Sequence, residues 1–124
     1  MDNHAPSVLS ASSLEGNNVG NTAGEDLGDI KDIMLDVRNG RVAYAVLDFG
    51  GFLGIGNKLF AVPFEAMTLN SVDERFILDV DKDRLKDAPG FDQDDWPNHA
   101  DYRFIDDVRK FYGLETYRQE AVTV

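Results

Sequence analysis

The chain has 124 residues, room for one domain whose core needs no covalent staples, and its 23 acidic against 12 basic residues give a formal net charge of −11. That charge repels phosphate backbones and anionic lipid surfaces, which excludes nucleic acid from the expected partners. The lack of cysteine excludes disulfides and thiolate metal sites and points to the cytoplasm, and no apolar run approaches the ~20 residues of a membrane span, so a soluble protein is expected.

Residues 1–8 are polar, contain a proline and show no periodicity, which reads as an arm. Ser10 to Gly16 offers a serine cap and a short helical turn stopped by glycine, and residues 17–21 a short strand before the turn Thr22-Ala-Gly-Glu25. Ile30, Ile33, Leu35 and Val37 form the apolar set of the next strand. The three-residue step from Ile30 to Ile33 breaks period two and predicts a bulge near Lys31-Asp32. Arg38-Asn39-Gly40 is a hairpin turn, since Asn-Gly tolerates positive φ.

The run Arg41-Val-Ala-Tyr-Ala-Val-Leu47 is apolar on both faces, with Val42, Tyr44 and Val46 on one and Ala43, Ala45 and Leu47 on the other, so it reads as a central strand with both faces covered. After the glycine-rich stretch Phe49–Gly56, residues 58–62 return as a strand that Pro63 ends. A single helical turn at 63–67, strands at 68–70 and 75–78, a charged helical turn at 81–87 and an acidic loop at 91–97 follow. Phe104, Ile105, Val108, Phe111 and Tyr112 lie at helical spacing between Asp101 and Gly113, which predicts an amphipathic helix. Residues 114–124 read as a tail. Six short strands at this spacing argue for a small antiparallel barrel or sandwich.

The segments Gly24–Asp36, Gly40–Leu47, Phe49–Gly56 and Lys58–Pro63, in that order and spacing, resemble the PRC-barrel family. The resemblance covers about residues 9–85, and Asp83–Phe91 with Asp95-Trp-Pro97 is similar to small stand-alone bacterial members. It implies a mainly β fold, a partly open six-stranded antiparallel barrel with short helical turns and a C-terminal amphipathic helix, over residues 9–90, with 91–113 as acidic loop and helix. It carries no shared catalytic residues. The family also includes the cytoplasmic domain of the photosynthetic reaction centre H subunit and a domain of a ribosome maturation factor, and neither the membrane anchor of the one nor the companion domain of the other is expected here.

No reaction emerges from the residues. Gly51–Lys58 lacks the Lys directly after glycine, the hydroxyl and the helix that a phosphate loop requires. Asp79, Asp81 and Asp83 have calcium-loop spacing, but Arg84 stands where glycine is needed and Gly90 where a bidentate glutamate is needed. His4 and His99 are far apart in sequence, and no metal or cofactor is expected. The candidate partner-contact residues are Phe49, Phe52, Leu53 and Ile55 of the glycine-rich loop, Trp96, and Phe104, Val108 and Phe111 of the last helix, which must cover its stripe on its own barrel or on another subunit. The expected function is a non-enzymatic interaction or assembly module of the PRC-barrel type that binds protein and self-associates, most simply as a dimer. The alternatives are an adaptor in RNA processing or ribosome assembly acting through protein contacts, and a ligand binder or enzyme with Tyr44, Asp48 and Lys58 at the open barrel end.

Overall fold

The computed structural model describes residues 8–49, 58–70, 75–92 and 102–117. Ser10 opens α1 (Ala11–Leu14), its hydroxyl accepting from Ser13 N at 3.3 Å. Seven strands follow: β1 (Asn18–Gly20), β2 (Asp26–Asp36), β3 (Arg41–Asp48), β4 (Lys58–Val62), β5 (Met67–Asn70), β6 (Arg75–Leu78) and β7 (Gly90–Asp92). A single 3-10 turn at Phe64–Ala66 links β4 to β5, α2 (Lys82–Leu85) lies between β6 and β7, and α3 (Tyr102–Phe111) ends the described elements.

The strands form one sheet in the order β5-β6-β1-β2-β3-β4-β7. The sheet is open, its end strands β5 and β7 not being paired with each other, and it corrects the expected six-stranded antiparallel barrel in two respects: there are seven strands among the described residues, and β1 runs parallel to β6 through Val19↔Phe76 and Gly20↔Ile77. The seventh strand lies where an acidic loop was expected. It is held by backbone pairing of Leu59 with Phe91 and Phe60 with Gly90, which three residues without alternation do not announce.

The central hairpin is close to its reading. The register shifts between Ile30 and Asp32, where the period broke, and Gly40 takes φ +67° in the turn. β2 begins four residues before Ile30, with Leu27 fully buried between Asp26 and Gly28. A second shift pairs Met34 with Tyr44 and Leu35 with Val42, leaving Ala43 unmatched. Ala43 therefore joins Tyr44 and Val46 on one face, and Val42 leaves it.

Both faces of β3 are covered. Leu47 and Phe49 enter an inner cluster with Val19, Leu27, Ile30, Phe60, Val62, Phe76 and Leu78. This cluster draws on every strand except β7 once partly buried Met67 and Leu69 are included, so the sheet curls around it. On the other face Tyr44, Val46, Leu59 and Ala61 pack against Ile105 and Val108 of α3. Ile105 and Val108 are each 1 % exposed, and burying such side chains stabilises by about 1.5–3 kcal/mol apiece. The helix stops at Gly113, at φ +76°, with Leu114 N bonded to Arg109 O at 2.9 Å.

Candidate functional site

The expected contact residues separate into three groups. Phe49 is 6 % exposed and meets Phe60 edge-on at 5.8 Å, so it is core and offers nothing to a partner. Val108 is buried, half-buried Phe104 meets Tyr44 edge-on at 5.6 Å and Phe91 at 6.4 Å, and Phe111 packs on the inner cluster with the Arg84 guanidinium 4.4 Å above its ring. The stripe of α3 is thus covered by its own sheet. Phe52, Leu53, Ile55 and Trp96 lie outside the described residues.

Tyr44, Asp48 and Lys58 do not converge. Tyr44 is under α3, and burial pushes its phenol up to about 12. Asp48 is four residues along the same strand, about 13 Å away by strand rise, and pairs with Leu59. The Lys58 amino group sits 5.0 Å over the Phe60 ring. Asp81 precedes α2 as its cap position, where an acid complements the helix end. Among the described residues no group of three or more His, Asp or Glu could hold a metal ion.

The strongest polar constellation surrounds Asp36, which sequence reading passed over as a strand residue. Asp36 is 2 % exposed at the end of β2. It accepts from the hydroxyl of Tyr117 at 2.8 Å, from Asn39 Nδ2 at 2.7 Å and from the hydroxyl of Tyr102 at 3.2 Å, and from the backbone N–H groups of Arg38 and Asn39 at 3.1 and 3.3 Å. Burial raises the pKa of the carboxyl, and the hydrogen bonds from Asn39, Tyr117 and Tyr102 more than offset that, so it sits below the ordinary 3.8. Burial, reinforced by Asp36, raises the Tyr117 phenol.

Tyr117 belongs to the segment read as tail, and this corrects that reading for residues 114–117. It is 1 % exposed, its N–H donates to Asp106 Oδ1 at 2.7 Å, and Arg109 Nε donates to Glu115 O at 2.6 Å. The Arg41 guanidinium lies 4.1 Å over the Tyr117 ring, whose other neighbour is the stacked ring of Tyr102. Arg109 also meets Glu65 at 3.1 Å. Every charge in this constellation is engaged by the chain itself. It ties hairpin, α3 and C-terminal strap together.

A second feature lies on the other side of the sheet's core, beside α1. A groove of about 400 Å³ is lined by Val8, Leu9, Leu14, Phe64, Met67, Leu69 and Phe76, all of them apolar. It opens beside β5, where the curled sheet is not closed. Val8 and Leu9 remain 87 % and 44 % exposed. The signal was present in the sequence: Leu9 and Leu14 flank the Ser10 cap at the N′ and N4 positions of a hydrophobic staple, which places both side chains over the same spot.

A family model described as PRC-barrel domain matches residues 6–85, more than half of the chain. The protein belongs to the PRC-barrel domain family. Against curated proteins it has no match. The groove lies wholly within the residues that the PRC-barrel model matches, whereas β7, α3 and the strap that closes on Asp36 lie beyond them. In this PRC-barrel protein no helix among the described residues is long and apolar enough to cross a membrane.

Proposed function

We propose that this PRC-barrel protein is a non-enzymatic interaction module that works through protein contacts, associates with itself and acts in the cytoplasm. The observation that carries this reading is the groove beside β5. Among the described residues seven apolar side chains line it, so it suits apolar side chains of a polypeptide. The buried charged residues Asp36 and Arg109 are engaged in intramolecular bonds and are not available to a substrate. The net charge of −11 turns the module toward protein and away from nucleic acid.

The test is affinity capture from the native cell with the wild-type chain and with Leu69→Arg, which places a charge in the groove. Leu69 is only partly buried, so the fold tolerates the change and circular dichroism verifies it. A protein that comes down with the wild type and is lost with Leu69→Arg supports the reading. Equal recovery with both, or turnover of a metabolite by the purified chain, overturns it.

A further inference from the structure

Asn39 and Gly40 form the tip of the β2–β3 hairpin, and both are exposed. An asparagine followed by glycine carries its own nucleophile. The glycine nitrogen can bond to the side-chain amide carbon and close a five-membered imide, and glycine has no Cβ to hinder the closure. The space beside Gly40 is open as well, since a Cβ built there would meet nothing within 4 Å. What restrains the reaction in the folded chain is Asp36. Gly40 N–H donates to Asp36 O at 2.8 Å. Asn39 Nδ2 donates to Asp36 Oδ2 at 2.7 Å and to the Tyr102 hydroxyl at 3.3 Å, and Asn39 N–H donates to Asp36 Oδ1 at 3.3 Å. Nucleophile and amide are thus both tied to one residue, and neither turns toward the other until the tip opens.

We propose that Asn39 is a site of spontaneous deamidation gated by the Asp36 clamp, and that the product holds the clamp open. In the opened tip Gly40 N gives its proton to solvent base and bonds to Asn39 Cγ. The Cγ–Nδ2 bond breaks, and Nδ2 takes up a proton and leaves as ammonia. Water then adds to one of the two imide carbonyls and the bond from that carbon to the Gly40 nitrogen breaks, giving an aspartate with the ordinary backbone or its β-linked isomer; nothing is oxidised or reduced. Either product puts a carboxylate where an amide donor met Asp36, which is 2 % exposed. Two carboxylates in contact disfavour each other's ionisation, so the pair separates or takes up a proton. The β-linked product also lengthens the backbone by a methylene, which breaks the turn closed by Gly40 N–H and Asp36 O. Tyr102 of α3 and Tyr117 of the strap bond to the same carboxylate, so the change at the tip loosens both. The reaction runs one way, and a brief opening leaves a lasting mark.

The test follows the full chain in mildly alkaline buffer by peptide mapping, which reads the mass gain of amide-to-acid exchange at Asn39, and by isoaspartate-specific methylation. Asn39 in the folded wild type should convert at least about tenfold more slowly than in the same chain in urea, and Asp36→Ala should raise the folded rate by about tenfold. Tyr102→Phe, a milder change, should raise it by about threefold. Val19→Ala, fully buried at the far end of β2, destabilises without touching the clamp and should leave the rate near wild type. Asn39→Gln, whose ring closure is far slower, should abolish the signal, and Asn39→Asp should melt below wild type at neutral pH. No conversion in urea overturns the site. Equal rates folded and in urea overturn the gating, as do wild-type rates in both Asp36→Ala and Tyr102→Phe, or a Val19→Ala rate that rises as far as theirs. An Asn39→Asp melting point equal to wild type overturns the effect on the clamp. None of these outcomes depends on the groove, whose reading is tested separately.

Discussion

Replacing Asp36 by alanine removes the acceptor on which hairpin, helix and strap converge. Tyr102 is partly exposed and Asn39 is exposed, so both regain water after a small rotation. Tyr117, at 1 % exposure, cannot. A hydrogen bond to a charged acceptor contributes about 1.5–3 kcal/mol, and loss of the two backbone bonds that cap the turn adds about 1 kcal/mol by analogy with helix caps. The sum is about 3 kcal/mol. At roughly 2.1 cal/mol/K per residue, 124 residues correspond to about 0.26 kcal/mol/K, so the melting temperature should fall by about 12 °C. Tyr117→Phe removes one donor and leaves the carboxylate its other partners, and its cost should be about half as large. Because both variants act on one network, the double variant should cost little more than Asp36→Ala alone. Thermal unfolding followed by circular dichroism reads all three. A melting point for Asp36→Ala within about 2 °C of wild type would refute the clamp.

The same carboxylate makes a pH signature. Its folded pKa lies below the ordinary 3.8, so its stabilisation is present above that value and is lost as pH falls through the folded one; urea midpoints from pH 7 to 2.5 should drop more steeply for wild type than for Asp36→Ala below about pH 4, and parallel curves would contradict this. Val46→Asp places an unpaired charge at a fully buried position between sheet and α3, a penalty of several kcal/mol that should leave the chain unfolded at room temperature; a cooperative melt near wild type would show the register to be wrong. The purified protein should shift neither duplex DNA nor RNA in a gel at physiological salt, and a micromolar complex would overturn the charge argument.

What the sequence made legible follows from range. Local devices could be read: the Ser10 cap, the Asn39-Gly40 turn, the bulge after Ile30, the stop at Gly113, and the two-sided burial of β3 that called for a layer on each face. Features that depend on distant pairing could not. β7 is three residues whose strand character comes from β4, and the parallel seam of β1 with β6 joins segments 57 residues apart at Val19 and Phe76. Asp36 looks like a polar end to an apolar strand until Tyr102 and Tyr117 arrive from the far end of the chain. The α3 stripe illustrates the converse. Its periodicity showed that it must be covered but was silent on whose surface would cover it, and Tyr44 and Val46, joined by the unmatched Ala43, supply that surface from the same chain. The groove residues were individually visible, yet five of the seven were assigned to strands or turns, and only their assembly beside the open edge gives them a common role.

The most direct measurement of whether the chain works by protein contact is the native size of the protein in extract of its own cell, compared with the purified chain on the same column. The account expects the cellular protein to run larger than the purified chain at equal concentration, and Leu69→Arg to return it to the purified size while its fold is retained. Cellular and purified protein running at one size, with no change in Leu69→Arg, would contradict it.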